Sequence, residues 1–153
     1  MDFQQADDLN QAIRLLSLRH RARAAALLAP LGLHPGQEAL LLELARTGPM
    51  IQAHIGEAIG CEPPSVTQMT RKLEASGHIR RTPAPTDKRA TVVELTDSGR
   101  TLTAKVRKVW RALAEETVAD LPAATVAELP EILGTLTRNV DGRESKPRSK
   151  PSA

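Results

Sequence analysis

Residues 63–95 change from a helical to an extended hydrophobic period, and this change limits the folds open to the chain. Val66, Met69 and Leu73 recur at steps of three and four residues, a spacing that predicts one face of a short helix. Residues 79–95 then contain two short extended runs separated by a proline-containing loop. A two-stranded hairpin is not stable alone, so it must pack against helices. We therefore expect a helical protein with a small hairpin directly after its fourth helix.

Hydrophobic spacing on both sides of this stretch predicts five further helices. Four of them cover about residues 7–28, 35–47, 51–59 and 97–121, and the sixth helix of the chain follows Pro122. Thr96 is a good N-cap for the fifth helix, whereas Pro130 must kink the sixth helix or delay its start. The only two aromatic residues are Phe3 and Trp110, so the core must be aliphatic, which suits helices. The predicted fold class is mostly α, with six helices and a small β-hairpin wing.

The composition indicates a soluble protein of one domain, or of one domain plus an appendage. A chain of 153 residues is long enough for a single hydrophobic core. Its one cysteine excludes an internal disulfide and fits a reducing compartment. No apolar run approaches the ~18–20 residues of a membrane span, and the N-terminus lacks the order of a signal peptide. We expect a cytoplasmic protein without membrane association.

Positive charge is concentrated in the middle of the chain. Residues 63–111 contain eleven Lys and Arg residues against four acidic residues, although the whole chain has a net charge of only +3. The segments on either side, 1–62 and 112–140, are both net acidic. A basic centre of this kind is typical of a polyanion-binding module. Charge alone supports a solvated basic face equally well.

The third and fourth helices, joined at Gly60, are predicted to form a helix-turn-helix. In such a unit the second helix enters the major groove of DNA, and residues near its start reach base edges. Ser65, Thr67 and Gln68 lie at that start, and glutamine can pair with adenine through two hydrogen bonds. Arg71, one turn later, can reach a guanine or a phosphate. The alternative is a helix pair with ordinary solvated residues, but the hairpin that follows directly favours DNA binding.

The loop between the two extended runs is predicted to project along the duplex as a wing. Lys88 and Arg89 lie near its tip, where they can meet the minor groove or its phosphates. Asp87 has the same charge sign as phosphate, so we expect it to hold Arg89 or Arg71 by a charge-assisted pair. The alternative is that Asp87 forms a plain Asx turn.

The run IGEAIGCEPPSVTQMTRKLEASGHIRRTPAPTDKRATVVELTDSGR resembles the multiple-antibiotic-resistance regulator (MarR) family of bacterial transcription factors. The resemblance covers about residues 33–102 by motif. Its most specific marks are three short elements, the wing pair Asp87 and Arg89, the step Leu95-Thr96, and the pair Gly99-Arg100. The resemblance implies a winged-helix homodimer whose first and last helices interlock, bound to double-stranded DNA at a pseudo-palindromic operator. It also implies a regulator, usually a repressor, that a small ligand or an oxidant releases.

Carried over to this chain, the resemblance places recognition-helix contacts at Pro64, Ser65, Thr67, Gln68 and Arg71 and wing contacts at Lys88 and Arg89, supported by Asp87. It implies helical dimerisation arms from both termini. The expected division is a dimerisation helix at 1–30, a DNA-binding lobe at 31–100, dimerisation helices at 101–140 and a disordered basic tail at 141–153. Many relatives have serine or threonine where this chain has Glu62, which puts the backbone clamp on a phosphate in doubt.

The resemblance also implies a site for a small aromatic or anionic effector between the dimerisation helices and the DNA-binding lobe. His20 and Trp110 are candidates, since both are predicted on inward faces. Plain packing is the better interpretation of each. Cys61 lies in the helix-turn-helix turn and is interpreted as a buried structural thiol, and a redox role stays open.

No cofactor, metal site or catalytic arrangement is predicted. The four histidines form no HxxxH pair, and Cys61 is not within ligand spacing of any of them. The chain has no Gly-rich phosphate loop, HExxH motif or nucleophile elbow. A function of another class remains as an alternative, namely a winged-helix protein-interaction module with an acidic partner.

Overall fold

The computed structural model describes residues 1–141. Within this range the chain forms six α-helices, which are α1 (Phe3–Leu28), α2 (Gln37–Thr47), α3 (Gln52–Ile59), α4 (Pro63–Ala75), α5 (Asp97–Thr117) and α6 (Ala123–Asp141). A 3₁₀ turn at Ala29–Leu31 follows α1. The prediction of a mostly α protein with six helices is confirmed. The predicted tail from residue 142 onward lies outside the described residues.

The hairpin belongs to a small antiparallel sheet of three strands within the described chain. These strands are β1 (Met50–Ile51), β2 (Ile79–Pro83) and β3 (Thr91–Leu95), in the order β1-β3-β2. Ile51 pairs with Val92, so its prediction as the first residue of the third helix is wrong. Ile51 has an extended backbone and directly precedes α3. β1 can therefore pair with the edge of β3 that a hairpin of two strands would leave without a partner.

The core is aliphatic, as its composition requires. Its fully buried side chains come from five helices and one strand, and they include Leu28, Leu40, Leu41, Ile55, Val66, Leu73, Val93 and Val106. On β3, Val93 and Leu95 face this core, which confirms the predicted apolar face of that strand. The core thus joins the hairpin to the helix-turn-helix and fixes the wing beside α4.

Several helix ends differ from the predicted ones. α1 begins at Phe3 and not at residue 7, because Asp2 and Gln5 form a capping box whose Asp2 Oδ1 accepts from the Gln5 N–H at 2.9 Å. The predicted N-cap of α5 is confirmed by a 3.0 Å bond from the Gly99 N–H to Thr96 Oγ1. α6 already begins at Ala123, so a start delayed by Pro130 is wrong. A proline in the first turn of a helix costs little, because the N–H groups there have no partner within the helix. Pro130 lies in the interior of α6, so α6 lacks the backbone hydrogen bond that residue 130 would otherwise donate.

The chain divides into two compact units, Met1–Glu115 and a second unit from Glu116 onward. The first contains α1 to α4, the sheet and nearly all of α5. The second contains α6 in its described part. The predicted division into dimerisation and DNA-binding segments stays a prediction.

Candidate nucleic-acid interface

α4 has one buried and one exposed face over its whole length. Val66, Thr70 and Leu73 are at most 2% exposed and pack toward the core. The opposite face is exposed and polar, and its members are Pro64, Ser65, Gln68, Arg71 and Lys72. Four of the five predicted recognition residues, Pro64, Ser65, Gln68 and Arg71, therefore share one open surface of the helix.

Thr67, the fifth predicted recognition residue, lies at the edge of this surface and is half-buried. Its hydroxyl donates to the Pro63 carbonyl at 3.0 Å and accepts a long 3.4 Å bond from Gln52 Nε2. A hydroxyl has one proton, so Thr67 in this rotamer has no donor left for a phosphate. Gln52 Oε1 also lies 3.4 Å from the Thr70 hydroxyl, whose one proton is shared with the nearer Val66 carbonyl at 2.9 Å. The link between the start of α3 and α4 therefore rests on the bond from Gln52 to Thr67. No hydrophobic or polar spacing in this stretch indicates the link.

The turn between α3 and α4 depends on Gly60. Its φ of 66° lies in the left-handed region, where glycine has no steric cost, and its N–H closes α3 by bonding to the Gly56 carbonyl. α4 then begins with no side-chain cap, because Glu62 occupies the N-cap position without making a capping bond. Pro63 and Pro64 follow at the first helical positions.

The wing tip is a tight loop between β2 and β3. The Ala84 N–H donates to the Ala90 carbonyl at 2.9 Å, and the Ala90 N–H donates to the Asp87 carbonyl at 3.0 Å. Asp87 Oδ1 accepts from the backbone N–H of Arg89 at 2.9 Å. In the described chain Asp87 makes no ion pair with Arg89 or Arg71, so the predicted charge-assisted pair is wrong and the Asx turn is what forms. The carboxylate still orients Arg89, through the backbone, and leaves the side chains of Lys88 and Arg89 exposed.

An ion pair ties the wing to the recognition helix. Arg81 on β2 donates from Nε and Nη2 to Glu74 Oε2 near the end of α4, at 2.8 and 2.5 Å. The hydrogen bond from Arg81 lowers the pKa of the Glu74 carboxyl. The neighbouring Arg80 instead pairs with Glu94 across the hairpin at 2.7 Å. The charge pattern counted these arginines only as positive charge and missed the link.

These pairs do not involve the cations on the predicted DNA side. Arg80, Arg81 and Arg100 are each bound to a carboxylate within the described range. No ion pair there engages the cations of α4 or of the wing tip, which are Arg71, Lys72, Lys88 and Arg89. A groove of about 290 Å³ is lined by residues of α3, α4 and the wing, which include Gln52, Pro63, Thr67 and Arg89.

A second cavity lies beside the recognition helix. It has a volume of about 550 Å³, and we name it the α1–α4 pocket after the helices that open onto it. Its lining includes His20, Arg21, Glu38, Cys61, Gln68 and Trp110. The structure thus brings the two candidate effector residues together and places them next to Ser65 and Gln68.

The individual positions in this pocket differ from the predicted ones. His20 is exposed, so its prediction on an inward face is wrong for the single chain, since the core side of α1 is formed by Ala24 and Leu28. Trp110 is partly buried against the core. Cys61 is half-buried and packs against the core as well, so it is less enclosed than the predicted buried thiol.

Comparison with known proteins places this fold in a family. The MarR family model matches residues 33–91. The chain is 31% identical over 112 residues to the uncharacterized HTH-type transcriptional regulator YwoH of Bacillus subtilis (strain 168), covering 73% of this chain and 78% of that protein. It is also 31% identical over 130 residues to the uncharacterized HTH-type transcriptional regulator YcgE of the same organism, covering 84% and 79%. The chain belongs to the MarR family.

Solved structures agree with this MarR assignment at the level of the fold. A cysteine-to-serine mutant of MarR from E.coli, complexed with operator DNA, matches with a TM-score of 0.78 at 22% identity over 89% of this chain and 99% of that chain. BpsR of Bordetella bronchiseptica, solved in work on the regulation of its DNA binding by 6-hydroxynicotinic acid, matches with a TM-score of 0.78 at 20% identity over 85% and 98%. A probable transcriptional regulator from Pseudomonas aeruginosa is 27% identical with a TM-score of 0.73 over 84% and 98%.

Membership in the MarR family makes the protein a DNA-binding transcriptional regulator with a winged helix-turn-helix. Over residues 1–141, no helix is long and apolar enough to cross a membrane. Across the same residues, no group of three or more His, Cys, Asp or Glu side chains is arranged to hold a metal ion.

Proposed function

We propose that this regulator is a homodimeric repressor that binds a pseudo-palindromic operator and is released by a small aromatic ligand. The observation that carries the proposal is the division of α4 into a buried face and an exposed polar face centred on Gln68. A helix divided in this way can insert into the major groove, where residues near its N-terminus meet base edges. Two such helices in a dimer would read half-sites about one DNA turn apart.

Base reading falls to the exposed residues of the first two turns. In the described chain the Gln68 side chain makes no internal hydrogen bond, and its amide can pair with adenine. Ser65 has a free hydroxyl beside it, and Arg71 extends from the next turn toward a guanine or a phosphate. Pro64 presents an apolar ring at the same surface, which suits contact with a thymine methyl or a sugar. Thr67 would act as an acceptor only, because its proton is engaged.

Phosphate binding falls to side chains and not to the backbone of α4. A helix N-terminus usually offers free N–H groups to an anion, but Pro63 and Pro64 have none. The Ser65 N–H is bonded to the Glu62 carbonyl at 3.0 Å. The expected backbone clamp on a phosphate is therefore weak here, and Lys72, Lys88 and Arg89 would carry the contacts, with Asp87 fixing the wing tip.

Homodimer formation is supported by apolar side chains left exposed in the single chain. On α1, Leu9, Ile13 and Leu16 recur at steps of four and three residues and are 45–52% exposed. On α6, Ile132, Leu133, Leu136 and Val140 form a second exposed set. Apolar stripes of this length mark protein contacts. A second copy is the occupant we propose, in which both terminal arms pack against their counterparts.

Ligand release is supported by the α1–α4 pocket. Its lining joins His20 of α1 and Trp110 of α5 to the base-reading residues Ser65 and Gln68 of α4. A small molecule bound there would contact the recognition helix and the proposed dimerisation helix at once. A ligand shifts the population toward the arrangement of these helices that it binds more tightly. We propose that this arrangement does not fit the operator, so the ligand would weaken operator binding.

The proposal is tested by comparing two variants on two DNAs. Gln68→Ala should lose about 1–3 kcal/mol of affinity for a selected operator and little for a random duplex, because only base contacts are lost. Arg89→Ala should weaken both and lower the slope of log K against log salt by about 1. Arg107→Ala, an exposed cation of α5 outside the proposed contacts, serves as the control and should leave both unchanged.

Two results would contradict the proposal. Equal losses on both DNAs for Gln68→Ala would remove its base-reading role. If the protein had no affinity for duplex DNA at low salt, the basic wing would not be a DNA-binding surface. That result would favour the alternative, a winged-helix module that binds an acidic protein.

A further inference from the structure

The α1–α4 pocket contains a buried carboxylate that DNA binding does not use. Glu38, in the first turn of α2, is 6% exposed and lines the pocket. Its Oε2 accepts a 2.6 Å bond from the Gly36 N–H. Burial raises the pKa of this carboxyl, and backbone hydrogen bonds and the charge of Arg21 oppose that rise. A carboxylate has about four acceptor positions, so Glu38 retains capacity for a further donor.

The remaining wall is suited to an apolar or aromatic body. Trp110 and Met69 line the pocket and pack against the core. The face of a tryptophan attracts a cation as well as an apolar group. The volume of about 550 Å³ lies within the range of small-molecule sites.

The basic side chains at the pocket belong to α1. His20 and Arg21 are both exposed, so solvent and salt screen them. Arg21 already interacts with Glu38, as its effect on the Glu38 pKa requires. An anionic ligand would therefore have to compete with Glu38 for Arg21 and would meet the repulsion of the buried carboxylate. A cationic ligand would instead be attracted, because Glu38, the buried charged side chain of the lining, is negative.

We propose that the α1–α4 pocket binds a small arylalkylamine, with the ammonium group on Glu38 and the aromatic ring against Trp110. This inference rests on the proposed ligand-released function and names the ligand class that the pocket selects. Glu38 is the residue that sets this selectivity, because a charge-assisted hydrogen bond in a desolvated site outweighs contacts at the exposed rim.

The test uses full-length protein without DNA and three ligands of nearly equal size, phenethylamine, phenethyl alcohol and phenylacetate. Titration calorimetry should give an affinity for the amine about tenfold above that for the alcohol, with phenylacetate weakest. Glu38→Gln should reduce the amine to the level of the alcohol. Glu43→Gln is the matched control, because Glu43 lies on the same helix but pairs with Arg46 and is not part of the pocket lining.

Tighter binding of phenylacetate, equal binding of all three ligands, or no binding of any would overturn the inference. The wild-type series decides these outcomes even if Glu38→Gln does not fold. A separate titration of the amine into the protein–DNA complex addresses the proposed function. Binding that leaves DNA affinity unchanged would remove ligand release and leave the assignment of the pocket standing.

Discussion

Glu38 and Glu74 are two carboxylates whose surroundings act on them in opposite directions. Burial raises the pKa of Glu38, whereas the hydrogen bond from Arg81 lowers the pKa of Glu74. Neither pKa shift can be predicted from sequence spacing. The shift of Glu38 depends on how α2 packs, and the shift of Glu74 depends on Arg81, which lies on β2. Each gives its residue a distinct role, Glu38 in the α1–α4 pocket and Glu74 in fixing the wing.

The raised pKa of Glu38 predicts a stability that depends on pH. The folded-state pKa is above the ordinary value of 4.5, so the folded protein binds the proton more tightly and loses stability as pH rises through the raised pKa. Glu38→Gln cannot ionise and can still accept from the Gly36 N–H. The variant should therefore melt at a higher temperature than wild type at neutral pH, and the gap should close toward pH 4.5.

Thermal melts across this pH range, at one fixed protein concentration, measure the effect. A gap that stays constant with pH, or a variant that melts lower at neutral pH, would show that burial of Glu38 carries no penalty for its charge. The fixed concentration matters because the melting temperature of a dimer depends on it.

Single residues also show where sequence reasoning reached its limit. The exposed face of α4 followed from three- and four-residue spacing, and the structure places Ser65, Gln68 and Arg71 there. Gly99 is one of the marks of the family resemblance. A Cβ at this position would lie 1.9 Å from the His78 carbonyl oxygen, so the close approach of α5 to the hairpin requires glycine. Asp87 was expected to bind a guanidinium, yet the tight wing tip offers it the nearer backbone N–H of Arg89.

At the scale of elements, the wing is held to the recognition helix by one ion pair and a shared core. Arg81 and Glu74 connect β2 to the end of α4, while Arg80 and Glu94 connect only the two strands of the hairpin. This difference between adjacent arginines gives a controlled test of whether the pair positions the wing.

Arg81→Met should weaken DNA binding by up to about fivefold, the equivalent of about 1 kcal/mol, because the wing cations lose a fixed position relative to α4. Arg80→Met should change binding less, although it removes the same charge one residue away. Fluorescence anisotropy with operator and random duplexes measures both. Equal losses for the two variants would mean that only the net charge matters, and the pair would have no positioning role.

The elements themselves were largely predictable, because helical and extended periods are local properties of the chain. The six helices and the two hairpin strands follow from them. β1 did not, because two residues carry no periodic signal and Met50–Ile51 becomes a strand only when β3 lies beside it. The Arg81–Glu74 pair was missed for the same reason, since it depends on how the hairpin folds back onto α4.

At the scale of the whole molecule, residues 1–141 include apolar side chains that stay exposed on the first and last helices. The exposed set on α1 includes Leu9, Ile13 and Leu16, and α6 carries its own set. His20 continues the apolar spacing of α1, and this spacing predicts an inward position. The Ile13 and Leu16 side chains that define the spacing are themselves exposed in the single chain, and His20 is exposed with them. Spacing identifies the apolar face of a helix but cannot say whether the same chain or a second copy covers it.

Ile13→Glu should convert the dimer to monomer, because it places a charge in the middle of the proposed apolar contact. Arg14→Glu changes the charge at the next position, outside the Leu9–Ile13–Leu16 stripe, and should leave the dimer intact. Sedimentation velocity over a range of protein concentrations measures both. A dimer in both variants, or a monomeric wild type, would contradict the role proposed for α1.

We propose that α4 reads duplex DNA as one of a symmetric pair. Selection of bound sequences from a random duplex pool tests it most directly. We expect enrichment of a motif with two-fold symmetry, whose half-site centres lie about 10–10.5 base pairs apart, and loss of that enrichment in Gln68→Ala. A pool that stays at its input composition after repeated rounds at low salt, or a motif without a second half-site, would contradict the claim.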